Sequence, residues 1–136
     1  MIATTFAFAG FAVPDIDAAH RFYRDVLGLE VAVESMGQLS LELPGGGWVL
    51  VYPKPDHTPA TYTVLNLEVD DIDRAVDELE AAGVALQRYD GFAQDERGIA
   101  RGIASGRGPD IGWFTDPAGN IIAVLQNPPA DDAALV

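Results

Sequence analysis

Few residues of this 136-residue chain can do chemistry, and they are scattered. In "TYTVLNLEVDD" (61–71), Asn66 and Glu68 interrupt an otherwise apolar strand pattern. A carboxylate in an apolar pocket has a raised pKa and can serve as general acid or base; at a solvated strand end it has no such role. His57 lies in "PKPDHTPA" beside Asp56. An Asp–His pair can do acid–base work, although sequence neighbours seldom point together and a surface linker histidine is the plain alternative. His20, near Asp17 and Arg24, reads as structural. Two histidines exclude a histidine-rich metal site, and the lack of cysteine excludes disulfides, thiolate ligands and thiol nucleophiles. "PGGGW" (44–48) is a hairpin turn and not a phosphate loop, since neither the lysine nor a following helix is present. The segment 87–112, "QRYDGFAQDERGIARGIASGRGPDIG", holds Asp95, Glu96, Arg97 and Arg101, with five glycines between 91 and 108. Such a long connection suits a mouth-covering loop that brings these charges to a ligand or partner subunit; a solvated excursion or extended hairpin is the alternative.

An internal repeat supplies the elements that position these residues. Val13, Asp15, Ile16, Asp17 and Ala19 recur 56 residues later as Val69, Asp71, Ile72, Asp73 and Ala75. Each copy predicts a strand, an acidic N-cap and an amphipathic helix that stops at glycine, Gly28 or Gly83. One helical stripe is Ile16, Ala19, Phe22, Tyr23 and Leu27; the other is Ile72, Ala75, Val76, Leu79 and Ala82. "PGGGWVLVY" (44–52) is echoed by "PAGNIIAVL" (117–125), where turn residues give way to a β-rich run. Each half therefore predicts βαβββ. The strands are expected at 5–13, 31–35, 39–43 and 48–52, then at 62–69, 84–89, 111–115 and 120–126. The organisation expected is one domain over 1–136, with modules at 5–52 and 62–126. A proline-stiffened linker covers 53–61, and a frayed tail covers 127–136.

"VPDIDAAHRFYRDVLGLEV", "VLNLEVDDIDRAVDELEAAGV" and "WFTDPAGNIIAVLQ" together resemble the vicinal oxygen chelate superfamily, which includes glyoxalase I, extradiol dioxygenases, and fosfomycin- and bleomycin-resistance proteins. The resemblance spans about residues 5–126. It implies an α+β fold of two tandem βαβββ modules, forming curved mixed sheets around a cavity, usually in a homodimer. In metal-dependent members, His and Glu from the first and last strands of each module hold one divalent ion. Counted from the motifs, those positions are Phe8, Leu50, Val64 and Ala123, all apolar. None supplies a nitrogen or oxygen donor, so no metal and no cofactor are expected. Strand alternation adds Phe6 and Gly10 to the face of Phe8, and Trp48 and Tyr52 to that of Leu50. It likewise adds Tyr62, Asn66 and Glu68 to the face of Val64, and Ile121 and Leu125 to that of Ala123. The expected ligand wall is therefore aromatic, built from Phe6, Phe8, Trp48, Leu50, Tyr52, Val64, Asn66, Glu68 and Ala123, with Arg97 and Arg101 at its mouth.

A net charge of −13 opposes binding to nucleic acid or an anionic membrane and favours cationic ligands. No apolar run approaches the ~20 residues of a membrane span. The start, with no basic residue before Arg21, reads as a first strand, and the protein as cytoplasmic. The function expected is metal-free binding of a small molecule, in the manner of bleomycin-resistance proteins, that sequesters an aromatic or cationic natural product. The alternatives are a glyoxalase- or dioxygenase-like lyase, isomerase or oxygenase acting on a small substrate, with Glu68 or His57 as its weak catalytic candidates, and a ligand-free dimeric scaffold.

Overall fold

The repeated acids start the two principal helices. In the computed structural model, which describes residues 1–130, Asp15 accepts the N–H groups of Asp17 and Ala18, each at 3.1 Å. Helix α1 follows over Ile16–Arg21 and continues as a π-helical turn, Phe22–Val26. Asp71 accepts the Arg74 N–H at 3.2 Å and opens α2, Ile72–Ala81. A cap of this kind is worth about 0.5–2 kcal/mol. Gly28 and Gly83, at φ +68° and +83°, turn the chain out of the helices.

The chain divides into two compact units, Met1–Pro59 and a second that begins at Ala60. The first holds strands β1 (Ala9–Val13), β2 (Glu30–Val33), β3 (Leu39–Glu42) and β4 (Trp48–Pro53) in the order β1-β4-β3-β2. β1 and β4 are parallel and the other pairs antiparallel. The rows Phe11–Val51–Leu39 and Ala9–Val49–Leu41 share one face, and Phe11 meets Tyr23 of the π turn at 5.9 Å. Phe11, Val49, Val51, Leu39, Leu41 and Tyr23 are all buried, so this is the helix-covered core.

The second unit repeats the plan with β5 (Thr63–Glu68), β6 (Ala100–Arg101), β7 (Asp110–Thr115) and β8 (Ile121–Gln126), in the order β5-β8-β7-β6. Its core rows are Leu65–Ile122–Phe114 and Leu67–Val124–Gly112, beside Ile72, Val76 and Leu79 of α2. The last six residues of the expected tail, 131–136, lie outside the described residues.

Three expectations change here, the first being that β1 begins only at Ala9 and not at residue 5, so that Phe6 and Phe8 precede the strand. Residues 84–89 form no strand; the edge of the sheet is β6, Ala100–Arg101, followed by the short helix α3, Gly102–Ser105. The reason is packing. Leu86 lies across Gly112, where an added Cβ would stand 2.5 Å from its Cδ1, and the chain reaches β7 with a single bond, Gln87 N–H to Trp113 O at 2.6 Å. Within β5, the register shifts between Thr63 and Leu65, so that Thr63 pairs with Ile121 and Leu65 with Ile122. A bulge leaves the extra residue, Val64, unpaired.

Candidate functional site

Each sheet has a second face, opposite its helix-side core. In the first unit it carries Trp48, Leu50 and Tyr52, alternating with buried Val49 and Val51. Phe8, just before β1, stacks on Trp48 with centroids 4.2 Å apart and planes 15° apart, and Phe6 adds to the stack at 6.1 Å from Trp48. Tyr52 approaches Gly10, where a Cβ would find its ring at 4.0 Å. Phe6, Phe8 and Tyr52 stay exposed, which is unusual for side chains of this size.

In the second unit the corresponding rows are Thr63–Ile121–Thr115, Asn66–Ala123–Trp113 and Glu68–Leu125–Ile111. The turn 116–120 sets this register. The Asp116 carboxylate accepts the N–H groups of Ala118 and Asn120, both at 2.9 Å, and Gly119 adopts φ +87°. Trp113 thereby lands beside Ala123 and becomes the centre of an aromatic group. Tyr89 meets it edge-on at 5.7 Å and Phe92 at 5.1 Å. Burial pushes the Tyr89 phenol above its ordinary pKa, so the hydroxyl is neutral at neutral pH.

The loop that holds Tyr89 and Phe92 is built on Gln94. Its side-chain oxygen accepts the Tyr89 N–H at 2.9 Å, and its amide nitrogen donates to the carbonyls of Gln87 and Gly98 at 2.9 and 2.7 Å. Two hollows flank the aromatic group. One, of about 310 Å³, is lined by Thr61, Tyr62, Thr63, Tyr89, Phe92, Trp113 and Ile121. The other, of about 390 Å³, is lined by Phe92 and Trp113 together with Gly91, Ala93, Ala100, Arg101, Gly102, Ser105, Arg107, Pro109 and Ile111.

The charged residues of the long loop serve mainly to fasten it. Arg97 bonds Asp77 at 2.6 Å and Glu80 at 2.5 Å on α2, and it lines neither hollow. Arg101 pairs with Asp73 at 2.7 Å, Asp95 at 3.0 Å and Asp110 at 3.5 Å, while its side chain borders the larger hollow. Glu96 is exposed, and its carbonyl accepts from Arg88 at 2.6 Å. These contacts hold both guanidiniums well above their ordinary pKa, chiefly through Glu80 for Arg97 and Asp73 for Arg101.

The same network sets an acid limit to stability. The Arg101 guanidinium holds the Asp73 carboxyl below the usual range. For Asp95, burial pushes upward, but the Ile99 N–H and Arg101 more than offset it. Carboxyls with depressed native pKa values contribute stability that is present above the unfolded value of about 3.9 and is lost as pH falls through the native values. Urea midpoints are therefore expected to fall below about pH 4, and less steeply in Asp73→Asn. Equal acid sensitivity in the two proteins would rule the network out as the cause.

Glu68 stands at an exposed strand end, where it accepts from Asn127 Nδ2 at 3.1 Å. His57 does not meet Asp56, whose carboxylate is taken by Lys54 Nζ at 2.7 Å. Its Nε2 is buried with no hydrogen-bond partner among the described residues. Trp113, Tyr89 and Phe92 were missed as site residues in the sequence reading. Trp113 was within reach, since counting back across the 116–120 turn pairs it with Ala123.

A profile of the Glyoxalase/Bleomycin resistance protein/Dioxygenase superfamily matches residues 5–124. The chain belongs to this superfamily. Among solved structures, the fosfomycin resistance protein FosX of Listeria monocytogenes aligns with TM-score 0.69 at 13% identity, covering 98% of this chain and 94% of that one. A glyoxalase/dioxygenase from Nostoc punctiforme aligns with TM-score 0.64 at 18% identity, covering 94% and 99%. TnmS3, an antibiotic binding protein from a Streptomyces species, aligns with TM-score 0.62 at 22% identity, covering 93% and 99%. Among curated proteins there is no match. At these identities the likeness is one of fold.

Superfamily membership raises the divalent ion again, and the donor set does not fit one. Phe8 is stacked on Trp48, Leu50 is flanked by aromatics, Val64 is at the bulge and Ala123 is fully buried. No group of three His, Asp or Glu side chains among the described residues is arranged to hold a metal. No helix among them is long and apolar enough to cross a membrane.

Proposed function

We propose that this protein binds and sequesters a small aromatic molecule without a metal ion. The observation that carries this is the Trp113 cluster, in which Tyr89 and Phe92 flank a tryptophan bordering two hollows. Concave sites lined mainly by aromatic and apolar groups are the usual form of small-molecule pockets, and both volumes fall in their range of about 300–1,000 Å³. The exposed Phe6–Phe8–Trp48 stack supports the same reading from the first unit. Glu68 and His57 lack the partners that acid–base catalysis would use, which favours binding over turnover. The reading takes the protein as a cytoplasmic homodimer, in which a partner copy covers apolar surface and sheet edges.

Intrinsic fluorescence tests it, because both tryptophans of the chain stand on these faces. Titration with a library of aromatic natural products is expected to quench the emission. Trp113→Ala is expected to weaken hits in the hollows of the second unit, and Trp48→Ala hits on the stack of the first, by about 1–3 kcal/mol each. Elemental analysis of the same sample is expected to find no stoichiometric divalent ion, and light scattering a dimer mass. Hits that bind equally well after both substitutions, or one Zn, Fe, Mn or Ni per chain, would overturn the proposal.

A further inference from the structure

We infer that the larger hollow of the second unit takes an aromatic carboxylate, its ring against Trp113 and Phe92 and its charge at Arg107. The inference rests on the binding function proposed above and adds the class of ligand. Five arginines belong to this unit. Arg74 pairs with Glu78, Arg88 with the Glu96 carbonyl, and Arg97 and Arg101 with carboxylates. Of these five, Arg107 alone has a side chain with no hydrogen bond or ion pair among the described residues, and it lines the hollow.

The surroundings decide the sign. No Asp or Glu lines this hollow, although the chain as a whole carries −13. The acids closest in the network are already taken: Asp73 and Asp95 by Arg101, and Asp110 by Arg101 and the Ile103 N–H at 3.0 Å. Arg101 already faces three carboxylates, so Arg107 is the cation of the lining that has no acidic partner. The overall charge steers cations toward the protein, but a ligand seated in the hollow touches its lining, and the charged side chains of that lining are the two arginines.

The backbone also holds Arg107 in place. Its N–H donates to the Gly102 carbonyl at 2.9 Å, closing α3, while Gly106 and Gly108 on either side adopt φ +69° and +126°. Few residues other than glycine accept such angles, so the turn "SGRG" presents one arginine at a defined spot on the rim. A planar guanidinium engages a carboxylate through two parallel N–H donors, and Phe92 and Trp113, which both line the hollow, offer apolar ring surface to an aromatic group.

Three matched probes test the inference by calorimetry: 2-naphthoate, 2-naphthamide and 2-naphthylmethylammonium. Naphthoate is expected to bind about three- to tenfold tighter than the amide, and the ammonium weakest. Arg107→Gln is expected to bring naphthoate to the level of the amide and leave the amide unchanged. Added salt should narrow the gap in the parent protein only. Equal binding of all three probes, lost together in Trp113→Ala, would overturn the anionic ligand and leave the aromatic site standing. Tightest binding by the ammonium would do the same. Absence of binding by every probe at millimolar concentration would count against the site itself.

Discussion

Phe114→Ala is expected to lower the free energy of unfolding by about 3–5 kcal/mol, while Trp113→Ala, one residue earlier, costs no more than about half of that. The two side chains leave β7 on opposite faces. Phe114 is fully buried in the row Leu65–Ile122–Phe114 on the core side. Its removal empties a site that a close-packed interior refills only in part. Trp113 is half-buried, beside Asn66–Ala123 and the hollows. Its loss should appear in ligand affinity rather than in folding. Urea denaturation of both variants gives the two costs. Equal costs would mean that the alternation along β7 does not separate core from site.

Ile99→Ala is expected to cost about 2–5 kcal/mol, and Ile99→Val only about 0.5–1.5. Ile99 has no exposed surface, although it belongs to the long connection between α2 and β7. Its backbone is tied at both ends, with Asp95 N–H donating to the Ile99 carbonyl at 2.8 Å and the Ile99 N–H donating to the Asp95 carboxylate at 2.9 Å. The loop is thus anchored by an apolar plug and by Arg97 on α2, and the tip with Tyr89 and Phe92 depends on that anchor. Denaturation should show the loss, and limited proteolysis between residues 87 and 99 should speed up in parallel. A change of less than about 0.5 kcal/mol, with unchanged proteolysis, would show that the loop stands without it.

Residue order alone determined the parts of this protein that rest on local chemistry and period. The repeated Val-x-Asp-Ile-Asp pattern specifies two capped helices, because a carboxylate before an apolar stripe satisfies free N–H groups. Alternation divides β4 into Val49 and Val51 beneath the helix and Trp48, Leu50 and Tyr52 opposite, because a pleated strand has a period of two. The lack of donors at Phe8, Leu50, Val64 and Ala123 also needs no coordinates, since side-chain chemistry does not change on folding. The tertiary structure decided everything that depends on long-range partners. The bulge that sets Thr63 beside Ile121 is a mismatch between two strands and leaves no mark on either one alone. The run 84–89 has strand character, yet Leu86 finds Gly112 and β6 takes the sheet edge instead. That Arg97 and Arg101 pair with carboxylates of α2, 17 to 28 residues away, is likewise invisible along the chain. Arg107 is distinguished only by having none: pairing among charges is settled by the fold, and no local pattern announces which cation remains for a ligand.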